Sequence, residues 1–230
     1  MSAQTVAGLF LVALPLAFNV AFGLLAARFD YPDVLRRPTG EVLERFREGG
    51  TSLILIWWVF ALCAVLLAPA VVLLARAVDD ADGTLLAVGV VVGVLAALVQ
   101  FLGLSRWPFL VPYLARVDAE AGADPARRTA VDVVFQSFNR YLGVAVGEHL
   151  GYGLNGAWSA LAGFALTETD AVPAWLGIVG IVVGLTLVLC AFEFVGRAGD
   201  RGWSVAEKLT PVAYTAWSLW LLGTGVALLA

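Results

Sequence analysis

Six long apolar runs dominate this chain, and they restrict the folds open to it more than any other feature. A helix needs about 20 mostly apolar residues to cross a hydrocarbon core of about 30 Å. The runs therefore predict an all-α integral membrane protein, a bundle of about six transmembrane helices that forms a single transmembrane domain over residues 1–230. The predicted spans are 6–27, 51–75, 84–104, 142–166, 172–195 and 210–230.

Composition and charge agree with this class of protein. Of the 230 residues, 61% are hydrophobic and only 14% are charged, too few to cover the surface of a soluble domain. The net charge of -4 and the acids within each basic stretch disfavour nucleic-acid binding. The excess of arginine over lysine indicates a high-GC prokaryotic genome. Cys63 and Cys190 lie inside apolar runs, where neither a disulfide nor a reactive thiolate is expected.

The first run begins close to the N-terminus. The opening residues, MSAQTVAGLF, lack the basic stretch of a secretory signal, so the run predicts a retained first span.

Charges in the loops predict the orientation of the bundle, because Lys and Arg are retained on the cytoplasmic side. Twelve of the 14 basic residues fall in the first, third and fifth predicted loops. We therefore expect these loops in the cytoplasm of a multi-pass cell-membrane protein and both termini on the extracytoplasmic side. The twelve are Arg28, Arg36, Arg37, Arg45, Arg47, Arg106, Arg116, Arg127, Arg128, Arg197, Arg201 and Lys208.

Two loops contain further patterns. In EVLERFREGG, apolar residues recur at helical spacing, which predicts a short interfacial helix with Thr39 as N-cap and a stop at Gly49–Gly50, or alternatively a partner-binding motif. In the third loop, Pro108 and Pro112 are expected to break the preceding helix. Aromatic residues near the span ends are expected to anchor at the membrane interface: Trp57, Trp58, Trp107, Phe109, Tyr113, Trp175, Trp203 and Trp217.

Residues 135–160 form the most polar of the membrane segments. At 100° per residue, five polar side chains project within about 60° of one another: Tyr141, Glu148, Tyr152, Asn155 and Ser159. Three glycines, Gly143, Gly147 and Gly151, form a neighbouring stripe of the kind that lets a second helix approach closely. The pattern predicts a helix buried in the bundle, and the glycine stripes could also serve a homo-oligomer.

Glu148 is the strongest candidate for function, because ionisable groups inside a bilayer are costly and usually retained for a reason. It could act as a proton carrier or cation ligand, tuned by Arg140 and His149; the alternative is an internal hydrogen bond or ion pair that fixes helix packing. The candidate ligand-binding residues are Gln136, Arg140, Glu148, His149, Tyr152 and Asn155.

Other polar residues in the apolar runs favour structural roles. Glu193 is expected to snorkel or to pair with Arg197 rather than to line a pathway. Asn19 and Gln100 predict hydrogen bonds between helices. The pairs Gly89–Gly93 and Gly180–Gly184 predict close packing.

No catalytic signature is present: the chain lacks GxSxG, a phosphate loop, HExxH and CxxC. The single histidine, His149, argues against a multi-histidine metal or bis-histidyl haem centre. The acids Asp79, Asp80 and Asp82 are interpreted as solvated loop charges first and a weak cation site second. We therefore predict no catalytic residue, metal or cofactor.

Two blocks, PTGEVLERFREGG before a Trp-containing span and FQSFNRYLGVAVGEHLGYGLNGAW, resemble the prokaryotic membrane family called domain of unknown function 4386. The resemblance covers most of the chain. It implies a small multi-span protein without an assigned activity and supplies no catalytic residues.

Three functional classes stay open. The first is a protein that binds or transports a small polar or amphipathic ligand in an intramembrane pocket on the fourth helix. The second is a non-catalytic scaffold or sensor accessory that contacts a cytoplasmic partner through residues 41–48. The third is a membrane lipid or isoprenoid enzyme, which is disfavoured because the one acidic cluster is predicted on the outer side.

Overall fold

The computed structural model describes residues 2–122, 124–196 and 202–230, and within them the secondary structure is helical. A short 3-10 helix, Asp33–Arg36, follows the first α-helix, and a π-helical segment, Asn139–Leu150, joins the sixth and seventh. The α-helices are α1 (Ala3–Phe29), α2 (Thr39–Val65), α3 (Leu67–Ala77), α4 (Gly83–Phe109), α5 (Val111–Ala121), α6 (Pro125–Phe138), α7 (Gly151–Glu168), α8 (Ala174–Cys190) and α9 (Ser204–Leu229).

Several of these helices have the length and composition of membrane spans. Within the described ranges, four helical stretches are long and apolar enough to cross a bilayer. They are α1 (Ala3–Phe29), α2 with α3 (Thr39–Ala77), α4 with α5 (Gly83–Ala121) and α9 (Ser204–Leu229). Ala174–Cys190 is apolar but shorter, at 17 residues. The run at 142–166 lies across the π-helical segment and α7.

The outer surfaces of these helices are apolar. Large hydrophobic side chains are exposed along α1, α4, α8 and α9, among them Val20, Val91, Val182 and Leu219. A soluble protein rarely exposes apolar surface on so many elements, so this distribution agrees with the apolar helices in suggesting a membrane protein.

The helix in the first loop is continuous with the second apolar run. Gly50 has φ +56°, a conformation that favours glycine, and it kinks α2 at the predicted stop. Thr39 is the first helical residue rather than the N-cap, and its hydroxyl bonds instead to Asp132 and Gln136 of α6. The predicted N-cap was therefore wrong.

The apolar face of this first part of α2 packs inside the protein. Val42, Leu43 and Phe46 are buried in a cluster with the end of α1, α4, α5 and α6. A flat interfacial helix would instead turn these side chains toward lipid. The outer face carries Glu44 and Glu48, which are exposed.

Three of the predicted interfacial tryptophans are buried instead. Trp57 and Trp107 belong to the cluster just described, and the Trp217 indole donates a hydrogen bond of 3.0 Å to the Ser159 hydroxyl. An indole suits a core as well as an interface, because burial of its large apolar ring is favourable and its single N–H can donate to a buried acceptor, as that of Trp217 does. The remaining anchors are exposed: Trp58, Phe109, Tyr113, Trp175 and Trp203.

The start of α1 and the end of α9 lie side by side. A Cβ atom added to Gly8 would lie 2.9 Å from the carbonyl oxygen of Gly225, so the two backbones are in direct contact. The predicted hydrogen bonds of the two amide side chains are confirmed. Asn19 joins α1 to α9 by donating to the Ser218 hydroxyl at 3.0 Å, and Gln100 joins α4 to α7 by donating to the Gly151 carbonyl at 3.4 Å.

Glycines also set the distance between α7 and α8. An added Cβ at Gly184 would meet the Gly156 carbonyl at 2.5 Å, and one at Gly163 would meet the Gly177 carbonyl at 2.6 Å. The predicted pair Gly180–Gly184 thus serves packing inside the chain, with the Trp220 ring over Gly180. These contacts hold α7 firmly against α8 and position the helix that continues from the π-helical segment.

Candidate functional site: two adjoining cavities around Glu148

The larger of two adjoining cavities has a volume of about 1160 Å³. It lies among the 3-10 helix, the π-helical segment, the turn after α8 and the start of α9. Its walls contain three acids and two arginines as well as neutral polar groups. The polar lining residues are Tyr31, Arg36, Gln136, Asn139, Arg140, Glu148, His149, Tyr152, Glu193, Glu207 and Thr210.

Five of the six residues that the sequence nominated as ligand contacts line this cavity: Gln136, Arg140, Glu148, His149 and Tyr152. They come from the end of α6, the π-helical segment and the first turn of α7. The structure thus places most of the nominated set around one space.

The smaller cavity, of about 280 Å³, continues from the larger one toward α1 and α4. It is lined by aromatic rings together with a few polar groups, including Asn19, Gln100, Arg106 and Ser218. The two cavities share Tyr31, Pro32, Glu148, Tyr152, Thr210 and Pro211. Glu148 therefore lies where the two spaces meet.

The Glu148 side chain faces this space without a protein partner. Within the part of the chain that the structure describes, it forms neither a hydrogen bond nor an ion pair. Arg106 is close enough to act on it electrostatically. The alternative of a direct ion pair that fixes helix packing is therefore not supported by the geometry.

Arg106 is a cavity residue, and its assignment to the third loop was wrong. It lies inside α4, which extends to Phe109, and it lines the smaller cavity. Its guanidinium donates to Asn139 Oδ1 at 3.0 Å and to the Gly103 carbonyl, and it lies 5.3 Å from the centre of the Trp107 ring. These contacts hold its charge in place without neutralising it.

Three tyrosines surround the junction. Tyr31 and Tyr152 line both cavities, Tyr214 lines the smaller one, and the Tyr152 and Tyr214 rings meet edge to face at 5.1 Å. Burial, with a contribution from the nearby Glu148 carboxylate and opposed by Arg106, raises the pKa of Tyr31 to about 12. The Tyr31 hydroxyl is therefore neutral at physiological pH.

His149 is fixed to the turn after α8. Its Nδ1 lies 2.7 Å from the Ala191 carbonyl oxygen, and its ring meets Phe192 edge to face at 6.2 Å. Because an Nδ1–H would donate to that carbonyl, this contact favours the tautomer that leaves Nε2 as an acceptor.

Asn155 does not line either cavity, contrary to the prediction. It is fully buried, and its carboxamide has no partner of standard hydrogen-bond geometry among the described residues, although it interacts with Tyr214. Tyr141 also leaves the predicted stripe and is 67% exposed. The reason is the π-helical segment, whose i→i+5 bonding has more residues per turn than the 100° wheel assumes.

The glycine stripe packs against α4, as its spacing predicted. Gly143 faces the Arg106 guanidinium, Gly147 faces Gly103, and Gly151 faces the Gln100 side chain. A Cβ at Gly103 would lie 2.7 Å from the Gly147 Cα, which leaves no room for a side chain between the helices. This close approach brings Arg106 and Glu148 to the same cavity.

The mouth of the larger cavity is charged. Arg36 bonds to Glu207 at 2.5 Å and to Asp33 at 3.0 Å, and Glu193, in the turn after α8, also lines the cavity. Burial and the nearby Glu207 raise the pKa of Glu193, while Arg36 acts in the opposite direction. Glu193 thus lines the cavity, and the partner expected for it, Arg197, lies outside the described residues.

Sequence reasoning missed several lining residues, notably Arg36, Arg106, Tyr31, Tyr214 and Glu207. Arg106 had one detectable signal: it continues the row of Gln100 and Gly103, each three residues apart, on the face of α4 that packs against the glycine stripe. The others come from distant elements whose convergence no local pattern reveals.

The acids Asp79, Asp80 and Asp82 belong to the opposite end of the molecule. Asp82 caps α4 by accepting from the Leu85 N–H at 2.7 Å, and Asp80 accepts from the Thr169 hydroxyl at 2.8 Å. Among the described residues, no group of three or more His, Cys, Asp or Glu side chains lies close enough together to hold a metal ion.

Comparison with known protein families gives a match over most of the chain. The model of the family described as "Domain of unknown function (DUF4386)" matches residues 6–225, nearly the whole chain. Neither the curated proteins nor the solved structures contain a significant match.

Proposed function

We propose that this chain, which belongs to the DUF4386 family, is a membrane protein that binds a small polar or amphipathic ligand in the cavities around Glu148. One observation carries the proposal: the Glu148 carboxylate faces the junction of two cavities and has no hydrogen-bond or ion-pair partner among the described residues. An acid kept unpaired at such a site costs free energy that a ligand donor would recover.

The lining divides the space into two chemical environments. The larger cavity is rich in charged and amide side chains, whereas the smaller contains the rings of Phe18, Phe22 and Phe60. A ligand with a polar end and an apolar end matches both. Transport of such a ligand would use the same residues and is part of the proposal.

We further propose that the chain crosses the bilayer six times as one domain. The contact between Gly8 and Gly225 puts the start of α1 and the end of α9 at the same end of the bundle, which supports an even number of crossings. The proposed spans are α1, α2 with α3, α4, the π-helical segment with α7, α8, and α9. The basic first, third and fifth loops would face the cytoplasm.

A scaffold role through residues 41–48 has weaker support. The apolar side of this segment, Val42, Leu43 and Phe46, is covered by the protein itself. A partner would have to bind the charged outer face alone.

The pocket is tested by thermal unfolding in lipid nanodiscs, followed by tryptophan fluorescence. Four probes are added: lysophosphatidylethanolamine, lysophosphatidylglycerol, dodecyltrimethylammonium and glycerophosphocholine. The variant is Glu148→Gln, and the matched control is Glu44→Gln, which removes an exposed carboxylate from α2. A probe at about 100 times its Kd stabilises a site by about 2.7 kcal/mol.

We expect at least one probe to raise the Tm of the wild type and of Glu44→Gln, with a clearly smaller rise for Glu148→Gln. Equal shifts in all three proteins, or no shift of the wild type with any probe, would contradict the proposed pocket.

A further inference from the structure

We infer that the ligand is a zwitterionic, single-chain membrane amphiphile that enters sideways from the bilayer between α1 and α9. Its ammonium group would face Glu148 and its anionic group Arg106. This inference rests on the proposed function and adds the entry route and the ligand class.

The smaller cavity opens on the side of the bundle. Asn19 and Phe22 of α1 and Pro211 and Thr215 of α9 line it, and all four are also exposed at the outer surface. At the other end of the same helices the backbones touch at Gly8 and Gly225. Asn19 also donates a hydrogen bond of 3.0 Å to Ser218 of α9, so the opening that we infer lies beyond this bond, between Phe22 and residues 211–215, in the half of the bundle that contains Glu148.

Apolar side chains surround this opening. Val20 and Val212, next in sequence to Asn19 and Pro211, are 64% and 63% exposed. Asn19 is ten residues before the end of α1, about 15 Å along the axis at 1.5 Å per residue. An opening at this depth, framed by exposed valines, meets lipid chains rather than water.

The walls just inside the opening suit an alkyl chain. Phe18 and Phe60 stack with ring centres 4.4 Å apart, and Phe22 lies 6.3 Å from Phe60. These rings form an apolar path from the opening to the junction, where the polar groups begin. A chain lying on this path leaves its head group beside Glu148 and Tyr152.

The charges at the junction favour a head group with both signs. Arg106 and Glu148 line one cavity without an ion pair between them, so each charge has capacity for a ligand group of opposite sign. The rings of Tyr31, Tyr152 and Tyr214 add the aromatic surface that attracts an ammonium ion. A purely anionic head could pair with Arg106 but would leave the Glu148 carboxylate without a group of opposite charge.

The test uses lysophosphatidylethanolamine with a diazirine at the end of its acyl chain, photolysed in nanodiscs that contain the full chain. Cross-linked residues are mapped by mass spectrometry with and without excess unlabelled lipid. Thr215→Trp narrows the opening, and Leu219→Trp is its matched control, one turn further along α9 on the exposed surface and outside the cavity lining.

We expect labelling of Phe18, Phe22 or Phe60 that excess lysophosphatidylethanolamine suppresses and excess lysophosphatidylglycerol does not. Thr215→Trp should reduce this labelling, Leu219→Trp should not, and Glu148→Gln should weaken competition about tenfold or more, since a charge-assisted bond is lost. Labelling that resists the competitor, that is equal in both tryptophan variants, or that the anionic lipid suppresses equally would overturn the inference.

The two proposals fail in different ways. If glycerophosphocholine, which has no alkyl chain, stabilises the wild type more than Glu148→Gln while specific labelling is absent, the pocket stands and sideways entry is wrong. If Glu148→Gln responds as the wild type does to every probe, the pocket itself is wrong.

Discussion

The indole rings of Trp57 and Trp107 lie parallel, 4.5 Å apart at an interplanar angle of 8°, and join α2 to α4. Both are buried, and Phe29 meets each of them edge to face. Arg106, the neighbour of Trp107, lines the smaller cavity. The stack therefore fixes the end of α4 from which Arg106 projects.

We expect Trp57→Ala to lower the free energy of unfolding by about 3–5 kcal/mol, the usual cost of removing a large buried aromatic side chain. The matched control is Trp58→Ala, because Trp58 is next in sequence and 43% exposed. Thermal unfolding in detergent measures both. Similar losses in the two variants would mean that the stack contributes nothing beyond an ordinary surface indole.

The contact between Gly103 and Gly147 leads to a second prediction. Gly103→Ala should destabilise the protein by about 1–3 kcal/mol, because the new methyl group would meet the Gly147 Cα at 2.7 Å. Gly23→Ala is the control: nothing lies within 4 Å of its added Cβ, and alanine favours a helix by up to about 1 kcal/mol. The prediction fails if Gly103→Ala is as stable as Gly23→Ala.

A third prediction concerns the hydroxyl of Thr39, which links α2 to Asp132 and Gln136 of α6. Thr39→Val should cost about 1 kcal/mol, since it leaves both partners without this bond. Thr186→Val is the comparison, because that exposed hydroxyl bonds only to the Val182 carbonyl of its own helix. Chemical unfolding should separate the two variants; equal stabilities would show that the link between helices is negligible.

Glu193 predicts a pH dependence of stability. Its pKa is raised in the folded protein, by burial and by Glu207, above the unfolded value of about 4.3. The folded state therefore holds the proton more tightly, and its stability falls as pH rises from the unfolded pKa through the folded one. Glu193→Gln removes this loss, so its Tm should exceed that of the wild type at pH 8 and match it near about pH 4.

Melting curves of Glu193→Gln, wild type and Glu44→Gln across this range give the measurement. Glu44 is exposed on α2 and controls for the general effect of losing one carboxylate. A Tm difference that is constant with pH would show that the burial of Glu193 has no energetic consequence.

Much of the helical framework could be predicted from the sequence. The apolar runs identify α1, α4, α8 and α9 to within six residues at each end, because runs of about 20 mostly apolar residues are typical of membrane-spanning helices. Lone amides in apolar runs predicted the bonds of Asn19 and Gln100 between helices, and the glycine spacing predicted the close approach of a second helix, which the structure identifies as α4.

The site was predictable only in part, and for physical reasons. Glu148 and Tyr152 could be nominated because polar groups are rare in apolar runs, but Tyr141 and Asn155 were misplaced by a wheel that assumed α-helical spacing through the π-helical segment. Arg106 looked like a loop charge because α4 continues past the end of its apolar run. Tyr31 and Glu207 come together only in the folded chain.

The contact of Gly8 with Gly225 means that the path of the backbone nearly closes on itself. A short linker could connect Leu229 to Ala3, and the chain could be reopened in the turn between Glu168 and Ala174, far along the sequence from the cavity residues. Such a circular permutant would keep the contacts between helices but change the order in which the helices are synthesised. Whether it folds would therefore show if the packing of this bundle depends on that order.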